Sequence, residues 1–423
     1  MNQTTQIKRQ FRSSIRRGTG EANLLIRKNP KIDFSADIIK ASLRNFAYDG
    51  QCEPSRAPYL FELICLSGQR EKIRQAVLRG LATEHADTWS LSQLFDLGKI
   101  FAQQGDGEAR KAVYDRFFNN PIEGADWMGY AEILELDGVE GLKFIAEKIG
   151  RSLVNNPDDW QDMSIIAHAQ EINPQIKVIQ VLEEAGQSNP FIRTYLENVQ
   201  RTEDEAKPDT RKVTGEKNVV EEILSVKMHP DLSKRNLSDA ELQLIAERLL
   251  VEKNNTNKEK LLAVFGEVRF PLDEQVILEF ASDKARSQNR IANLALDALT
   301  FLTSESIRTF VFERIHRSNN PGPLSRVLKS NYKKGDGKLL AELVGRYKRE
   351  DVIESLAISY VDVYKSNRTK ECKEPLEALY NKLTCAIHRE DIVKLLIEND
   401  VLSDQIKEEI EFDCEDSTRK LLG

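Results

Sequence analysis

Residues 87–121 read DTWSLSQLFDLGKIFAQQGDGEARKAVYDRFFNNP and contain one complete unit of a repeat. Apolar residues recur along both halves of this stretch at the spacing of an amphipathic helix. The turn Gly105-Asp-Gly107 separates the halves, and Asn119-Asn-Pro121 follows the second one. Because glycine can take the left-handed conformation that ends a helix, and proline stops a helix, the stretch predicts two helices joined by a short turn.

The same plan recurs along the chain. Three successive units carry a glycine in the turn between their helices: Gly68, Gly105 and Gly138. The intervals between these glycines are 37 and 33 residues. Asn-Asn-Pro returns at 155–157 and 319–321, and Gly-Asp-Gly returns at 335–337. Repetition roughly every 30 to 40 residues is typical of stacked helical arrays, so we expect one architecture in both halves of the chain.

An acidic residue precedes an aromatic residue at a recurrent point of the repeat. The aromatic residues in this position are Phe34, Trp89, Trp127 and Trp160. Aspartate is a preferred residue at the start of a helix, and a recurrent aromatic side chain can fill the same gap between neighbouring repeats each time. We therefore expect these four side chains to be structural and buried, and each aspartate to cap a helix.

One further segment resembles a known family. Residues 289–299, NRIANLALDAL, resemble the first helix of a HEAT repeat. The resemblance implies an all-α fold, a right-handed αα-superhelical solenoid of roughly eight to ten HEAT-like helix pairs. A tetratricopeptide-like unit is the alternative, because Gly98, Phe101, Tyr114 and Pro121 approximate that pattern. Units elsewhere in the chain do not keep it, which favours the HEAT-like interpretation.

Composition divides the chain into four segments. The stretch 201–217 has five basic and five acidic residues and few apolar ones, which predicts a polar linker or an excursion from the array. We expect basic N-terminal capping helices at 1–34 and HEAT-like repeats at 35–200. Further HEAT-like repeats and an end cap are expected at 218–423.

Two basic segments interrupt an otherwise acidic chain of net charge −7. In the first, residues 8–31, an apolar stripe is flanked by Lys8, Arg9, Arg12, Arg16 and Arg17. In the second, residues 326–349, the candidate cations are Lys333, Lys334, Lys338, Arg346, Lys348 and Arg349. Such cations can bind phosphate or an acidic protein surface, but they can equally pair with the protein's own carboxylates.

No catalytic or cofactor motif is found in the sequence. The five histidines are far apart, and five cysteines without a CxxC pair indicate a reducing compartment. Only Cys385-Ala-Ile-His388 has a spacing that puts a thiol and an imidazole on one helix face, where Cys372 or Cys414 could complete a zinc site. A buried cysteine beside a surface histidine is the preferred interpretation. We therefore expect no enzyme, no cofactor and no bound metal.

The chain lacks the long apolar run that a membrane span requires, so we expect no membrane segment and a cytoplasmic location. Stacked repeats form an extended binding surface without needing a catalytic pocket. The main expectation is a non-enzymatic scaffold or adaptor with a protein partner.

The alternative function is nucleic-acid binding by a HEAT-like protein similar to the HEAT-like DNA glycosylases. This alternative uses the basic segments 8–31 and 326–349, and it requires both of them to line one concave surface. A HEAT-like lyase that attaches pigments to proteins is a third analogy, supported by the fold alone.

Overall fold

The computed structural model describes residues 3–122, 127–205, 218–225, 236–282 and 290–422. The regular secondary structure in these ranges is helical, and no β-strand occurs in them. The prediction of an all-α chain is therefore confirmed. Among the described residues, none of the helices combines the length and the apolar character needed to cross a membrane. The chain divides into two compact units: residues 1–212 with 409–419, and residues 213–408 with 420–423.

The first unit begins with a series of helices in its described residues. They are α1 (Gln3–Arg17), α2 (Glu21–Lys28), α3 (Ser35–Leu43), α4 (Ala57–Leu66), α5 (Arg70–Thr83), α6 (Thr88–Gln103), α7 (Gly107–Phe118), α8 (Tyr130–Asn155), α9 (Ser164–Ile172), α10 (Val178–Ser188) and α11 (Pro190–Glu205). The apolar pattern of residues 87–121 falls on the inner faces of α6 and α7. Its buried side chains are Leu94, Leu97, Phe101, Ala109, Val113 and Phe117.

The helices of the first unit pack in two rows. One row follows the contacts among α2, α4, α6 and α8, and the other follows those among α1, α3, α5 and α7. The rows also contact each other, as α5 and α7 both do with α6. α8 contributes two segments because its backbone bends at Gly138, where φ is 53° and ψ is −123°. The apolar faces of amphipathic helices meet between the rows, and this is where the core lies.

Left-handed glycines lie at the turns that the sequence pattern indicated. The φ angle is 65° at Gly68 and 89° at Gly105, which follow the ends of α4 and α6, and 98° at Gly335, which immediately precedes α19 (Asp336–Arg346). In the stretch Gly18-Thr-Gly20, Gly18 has a φ of 75° and separates α1 from α2. Residues with a Cβ atom are strained in this conformation, so these glycines fix where the adjoining helices begin or end.

The second unit is also helical in its described residues. Its helices are α12 (Val219–Ser225), α13 (Asp239–Val251), α14 (Asn255–Val264), α15 (Glu274–Ser282), α16 (Arg290–Leu299), α17 (Glu305–Ile315), α18 (Gly322–Arg326), α19 (Asp336–Arg346), α20 (Glu350–Ser366), α21 (Lys373–Tyr380), α22 (Ala386–Glu398) and most of α23 (Asp404–Ile410). Short 3-10 helices lie at Val327–Lys329 and Lys370–Cys372. Successive contacts join α14, α16, α18, α20 and α22 into a row. Ser238 and Glu241 form a capping box at the start of α13.

The expected linker at 201–217 overlaps the end of the first unit. Because α11 extends to Glu205, residues 201–205 are helical, and residues 206–217 lie outside the described residues. The division between the two units falls after residue 212.

Residues 409–419 belong to the first unit, whereas the sequence pattern grouped them with the C-terminal repeats. This C-terminal segment contains α24 (Asp416–Arg419) and precedes a 3-10 helix at Lys420–Leu422. Arg419 pairs with Glu62 of α4 at an N···O distance of 2.7 Å. Residues 409–419 are therefore part of the N-terminal unit.

The Gly-Thr-Gly stretch is where the C-terminal segment docks. The amide of Cys414 donates a hydrogen bond to the carbonyl of Gly18, with an N···O distance of 2.9 Å. A Cβ atom at Gly20 would lie 1.9 Å from the carbonyl oxygen of Glu409. The two backbones can approach this closely only because Gly20 has no side chain.

Candidate protein-interaction groove

The three tryptophans are exposed, so the expectation that they are buried between repeats is wrong. Their exposed fractions are 40% for Trp89, 55% for Trp127 and 66% for Trp160. Phe34, in contrast, is 2% exposed and packs against Phe11, with a distance of 4.3 Å between ring centroids. The acid–aromatic pattern therefore marks one core residue and three surface residues.

The helix caps explain part of this difference. Asp87 caps α6 as predicted, because its carboxylate accepts a hydrogen bond from the amide of Trp89 at 3.1 Å. The cap fixes the backbone of Trp89 and leaves its indole free to face outward. Trp160 lies ahead of α9, and the carboxylate that accepts a hydrogen bond from the α9 residue Ser164 belongs to Asp162, at 2.9 Å. Asp126 lies outside the described residues.

Trp89 lies in a shallow depression of its own. Tyr48, Asp49, Asp87 and the loop backbone around Gly50 form the rest of the depression. A Cβ atom at Gly50 would lie 2.7 Å from Cγ of Trp89, so the indole packs directly on the glycine backbone. Trp89 thus holds a surface loop and does not fill a gap between repeats.

Trp127 and Trp160 line the same groove in the first unit. This groove has a volume of about 900 Å³ and runs between the two ends of α8 and the connection that leads into α9. We call it the tryptophan groove. The side chains that determine its chemistry are Trp127, Tyr130, Asp158, Asp159, Trp160 and Asp162. Two exposed indoles and three carboxylates therefore face one concave surface.

Asn198 of α11 holds in place the connection that leads into α9 and lines the tryptophan groove. Its side-chain oxygen accepts a hydrogen bond from the amide of Gln161 at 2.9 Å, and its side-chain nitrogen donates to the carbonyl of Asp159 at 2.8 Å. Arg201 donates a further hydrogen bond to the carbonyl of Pro157 at 2.8 Å. These three hydrogen bonds, which lie on both sides of Trp160 in the sequence, fix the backbone around this exposed aromatic residue.

The charge of the groove is mainly negative. Lys148 is its cation, and the ammonium of this lysine lies 4.8 Å from the centre of the Phe117 ring. Burial, with the charges of Glu132 and Asp162, raises the pKa of Tyr130, so its hydroxyl stays protonated. An anionic surface with flat aromatic walls favours a cationic group on an apolar stem.

The first basic segment is largely engaged within its own unit. α1 docks through Phe11 and Ile15, which are buried, and this agrees with the predicted apolar stripe. Arg12 pairs with Asp37 at 2.8 Å, and this carboxylate raises the pKa of the guanidinium. The prediction that Arg17 is a surface cation facing a partner is wrong. Arg17 is only 7% exposed and pairs with Glu21 at an N···O distance of 3.3 Å. Its long stem is used to cover the core of the unit.

The remaining cations of this segment have different surroundings. Arg16 lies over the Phe46 ring at 5.6 Å from its centre. Arg9 is exposed, and Lys8 is half-buried. Hydrogen bonds from Ser35, then the charge of Lys72 and last that of Lys8, lower the pKa of Asp33.

The second basic segment lies in the second unit, and several of its cations also have partners there. Lys333 pairs with Glu305. Arg349 pairs with Asp351 at 2.5 Å, and a nitrogen of Arg346 lies 3.0 Å from His316. The exposed cations Lys334, Lys338 and Lys348 complete the set. The two basic segments therefore belong to different units.

Cys385 and His388 acquire a partner that the sequence did not indicate. The structure brings Glu354 of α20 to them, in place of the two cysteines considered from the sequence. Cys372 is buried at the start of α21, and Cys414 belongs to the first unit.

Sequence reasoning also missed Asp158 and Asp162 as groove residues. The run Asp158-Asp-Trp-Gln-Asp162 has no apolar periodicity, which is a signal for an exposed loop, and it follows a helix-stopping proline. An indole in such a loop is a stronger sign of a binding surface than an indole in a periodic segment.

In comparisons with known proteins, no family model, no curated protein and no solved structure matches this chain.

Proposed function

We propose that this chain is a non-enzymatic scaffold that binds a partner protein through the tryptophan groove. The proposal rests on one observation: two exposed indoles share a preformed groove with three aspartates. Tryptophan is among the residues that contribute most to binding energy at protein interfaces. Because hydrogen bonds already hold the backbone around Trp160, this part of the groove loses less conformational entropy when a partner covers it.

The partner segment that suits this groove is an extended peptide bearing arginine between apolar residues. Guanidinium groups stack on indole faces and form paired hydrogen bonds with carboxylates. The indoles of Trp127 and Trp160 and the carboxylates of Asp158 and Asp159 provide both types of contact in one place. The apolar residues of the peptide would cover the buried wall formed by Leu153 and Ile165.

The finer architecture belongs to this proposal as well. We propose that the helix rows of each unit are HEAT-like pairs in a right-handed superhelical solenoid. The contacts of each helix with the next but one support this arrangement. The helical conformation of the HEAT-like segment in α16 and the left-handed glycines between paired helices also agree with it. Localisation in the cytoplasm remains part of the same proposal.

A defined peptide tests the groove. The probe is a capped hexapeptide of alternating leucine and arginine, and its control has glutamate in place of arginine. Isothermal titration of the full chain should show binding of the first peptide and none of the second. Trp160→Ala and Asp158→Asn should each weaken binding by about tenfold or more, which corresponds to a loss of about 1.4 kcal/mol.

Trp89→Ala is the matched control, because it removes an exposed tryptophan outside the groove. This variant should bind the peptide as the unaltered chain does. Equal binding of the acidic peptide, or unchanged affinity in Trp160→Ala, would overturn the proposal.

Nucleic-acid binding receives less support. Arg12, Arg17, Lys333 and Arg349 form ion pairs with carboxylates of their own unit, and these would have to be broken to contact phosphate. Titration of a DNA duplex and of single-stranded RNA across a salt series separates the two functions. A steep fall in affinity with salt would favour nucleic acid over the scaffold.

A further inference from the structure

A thiol, an imidazole and a carboxylate meet in the second unit. Cys385 and His388 lie at the start of α22, one helical turn apart, and Glu354 faces them from α20. The ligand atoms of the three side chains all lie within 4.8 Å of one another. Two packed helices therefore supply three chemically different donors to one point.

These donors are held in place and not loosely exposed. One oxygen of Glu354 accepts a hydrogen bond from the amide of Cys385 at 3.2 Å. The other lies 2.8 Å from Nδ1 of His388. Glu354 and Cys385 are only 2% and 3% exposed, whereas the His388 side chain remains partly open to solvent. The sulfur of Cys385 does not cap α22, so the helix makes no use of it.

The cluster combines a carboxylate with two donors that lose a proton when they bind a metal ion. Nδ1 of His388 faces the Glu354 carboxylate, and the Cys385 sulfur lies beside both. A divalent cation at that point would displace the proton of the thiol and the proton on the imidazole nitrogen that faces it.

We propose that Glu354, Cys385 and His388 form a binding site for a divalent transition-metal ion, with zinc as the preferred ion. Thiolate, imidazole and carboxylate are the ligands of Zn²⁺ in proteins, and a thiolate disfavours Mg²⁺ and Ca²⁺. Bond lengths of about 2.0–2.3 Å in a tetrahedral site put ligand atoms about 3.3–3.8 Å apart, so small side-chain shifts are enough to close the site. A water molecule on the open side of His388 takes the fourth position.

This inference is independent of the tryptophan groove, because the cluster lies in the second unit and the groove in the first. Failure of one proposal therefore leaves the other intact. The proposed metal site departs from the expectation, drawn from the sequence, that the chain binds no metal.

Cobalt provides the test. The full-length chain is stripped with a chelator and titrated with Co²⁺, whose bond to a thiolate gives a charge-transfer absorption band in the near ultraviolet. We expect the band to saturate at one Co²⁺ per chain and to disappear when Zn²⁺ is added. Cys385→Ser should abolish the band. His388→Gln should weaken binding by more than about 100-fold, since even residues that only support a ligand contribute 10–100-fold.

Cys372→Ser is the matched control, because it alters another buried cysteine of the same unit. Burial raises the pKa of the Cys372 thiol to about 11, so this residue is protonated and should not contribute to the band. Glu354→Gln keeps the size of the side chain, and circular dichroism establishes that each variant is folded.

A chain that binds neither Co²⁺ nor Zn²⁺, or a band that survives Cys385→Ser, would overturn the proposal.

Discussion

Burial of the Glu132 carboxylate costs the first unit free energy. Its side chain lies on α8 and is almost fully buried. Burial, followed by the negative charge of Asp96, raises its pKa to about 7, and the opposing effect of Lys99 is smaller. Lys99 is shared, since it pairs with Asp96 at 3.0 Å and with Glu135 at 2.8 Å. One residue therefore couples the stability of the unit to pH near neutrality.

The direction of this coupling is definite. Folding raises the pKa of Glu132 from 4.5 to about 7, so the folded protein binds more protons than the unfolded one between these values. The free energy of unfolding should fall as the pH rises through this window and level off above it. Glu132→Gln should remove this contribution and stabilise the protein by on the order of 3 kcal/mol at about pH 8. Urea unfolding at several pH values between about 5 and 8 measures it.

Glu140→Gln serves as the control, because this side chain is on the same helix but is largely exposed. It should leave the pH profile unchanged. An identical profile in Glu132→Gln and the unaltered chain would show that Glu132 does not titrate in this range.

The aromatic residues show how far sequence reasoning reaches at this scale. The cap at Asp87 could be predicted, because it depends on residues that are two positions apart. The burial of Phe34 depends on Phe11 in another helix, and the exposure of Trp160 depends on Asn198, which holds its loop. The same acid–aromatic order precedes both outcomes, so local pattern alone cannot separate a core residue from a surface residue.

At the scale of elements, the closest backbone approach in the C-terminal segment gives a direct test. Gly20 has a φ of −63°, which alanine adopts without strain. Gly20→Ala should therefore act only through its collision with the carbonyl of Glu409. We expect a loss of about 1–3 kcal/mol in unfolding free energy, as for other overpacked sites. Hydrogen exchange should show faster exchange of the amides in residues 409–419.

Gly107→Ala is the matched control, since a Cβ atom at Gly107 would have no neighbour within 4 Å among the described residues. Alanine should leave the stability of α7 unchanged or raise it slightly. If the amides of residues 409–419 remain as protected in Gly20→Ala as in the unaltered chain, the segment does not depend on this approach.

Elements were predictable where their determinants are local. The glycine turns at Gly68 and Gly105 and the capping box at Ser238 follow from residues within one turn of a helix. The docking of residues 409–419 and the partnership of Glu354 with Cys385 join residues far apart in sequence. No periodicity connects such residues, so the candidate metal site and the docked C-terminal segment became apparent only from the packing of the helices.

At the scale of the whole molecule, the first unit combines residues 1–212 with residues 409–419, which are far apart in the sequence. Arg419 and Glu62, which form an ion pair, are separated by 357 residues. Closing so long a loop costs entropy, although the cost grows only slowly with length. Burial of Ile410, Cys414 and Thr418 offsets it. The first unit therefore cannot be complete until residues 409–419 have been made.

Removal of the chain end should weaken the first unit selectively. Deletion of residues 411–423 keeps α23 but removes Cys414, Thr418 and the ion pair of Arg419. We expect a loss on the order of 3 kcal/mol, which lowers the melting temperature of a unit of this size by roughly 6–12 °C. Hydrogen exchange should accelerate in α2 and α4, which contact the segment through Arg27 and Glu62, and stay unchanged in α14 to α22. Deletion of residues 420–423 alone retains Arg419 and should melt as the full chain does, because these residues belong to the second unit. Uniform acceleration in both units after the longer deletion would instead mean that the two units unfold as one cooperative body.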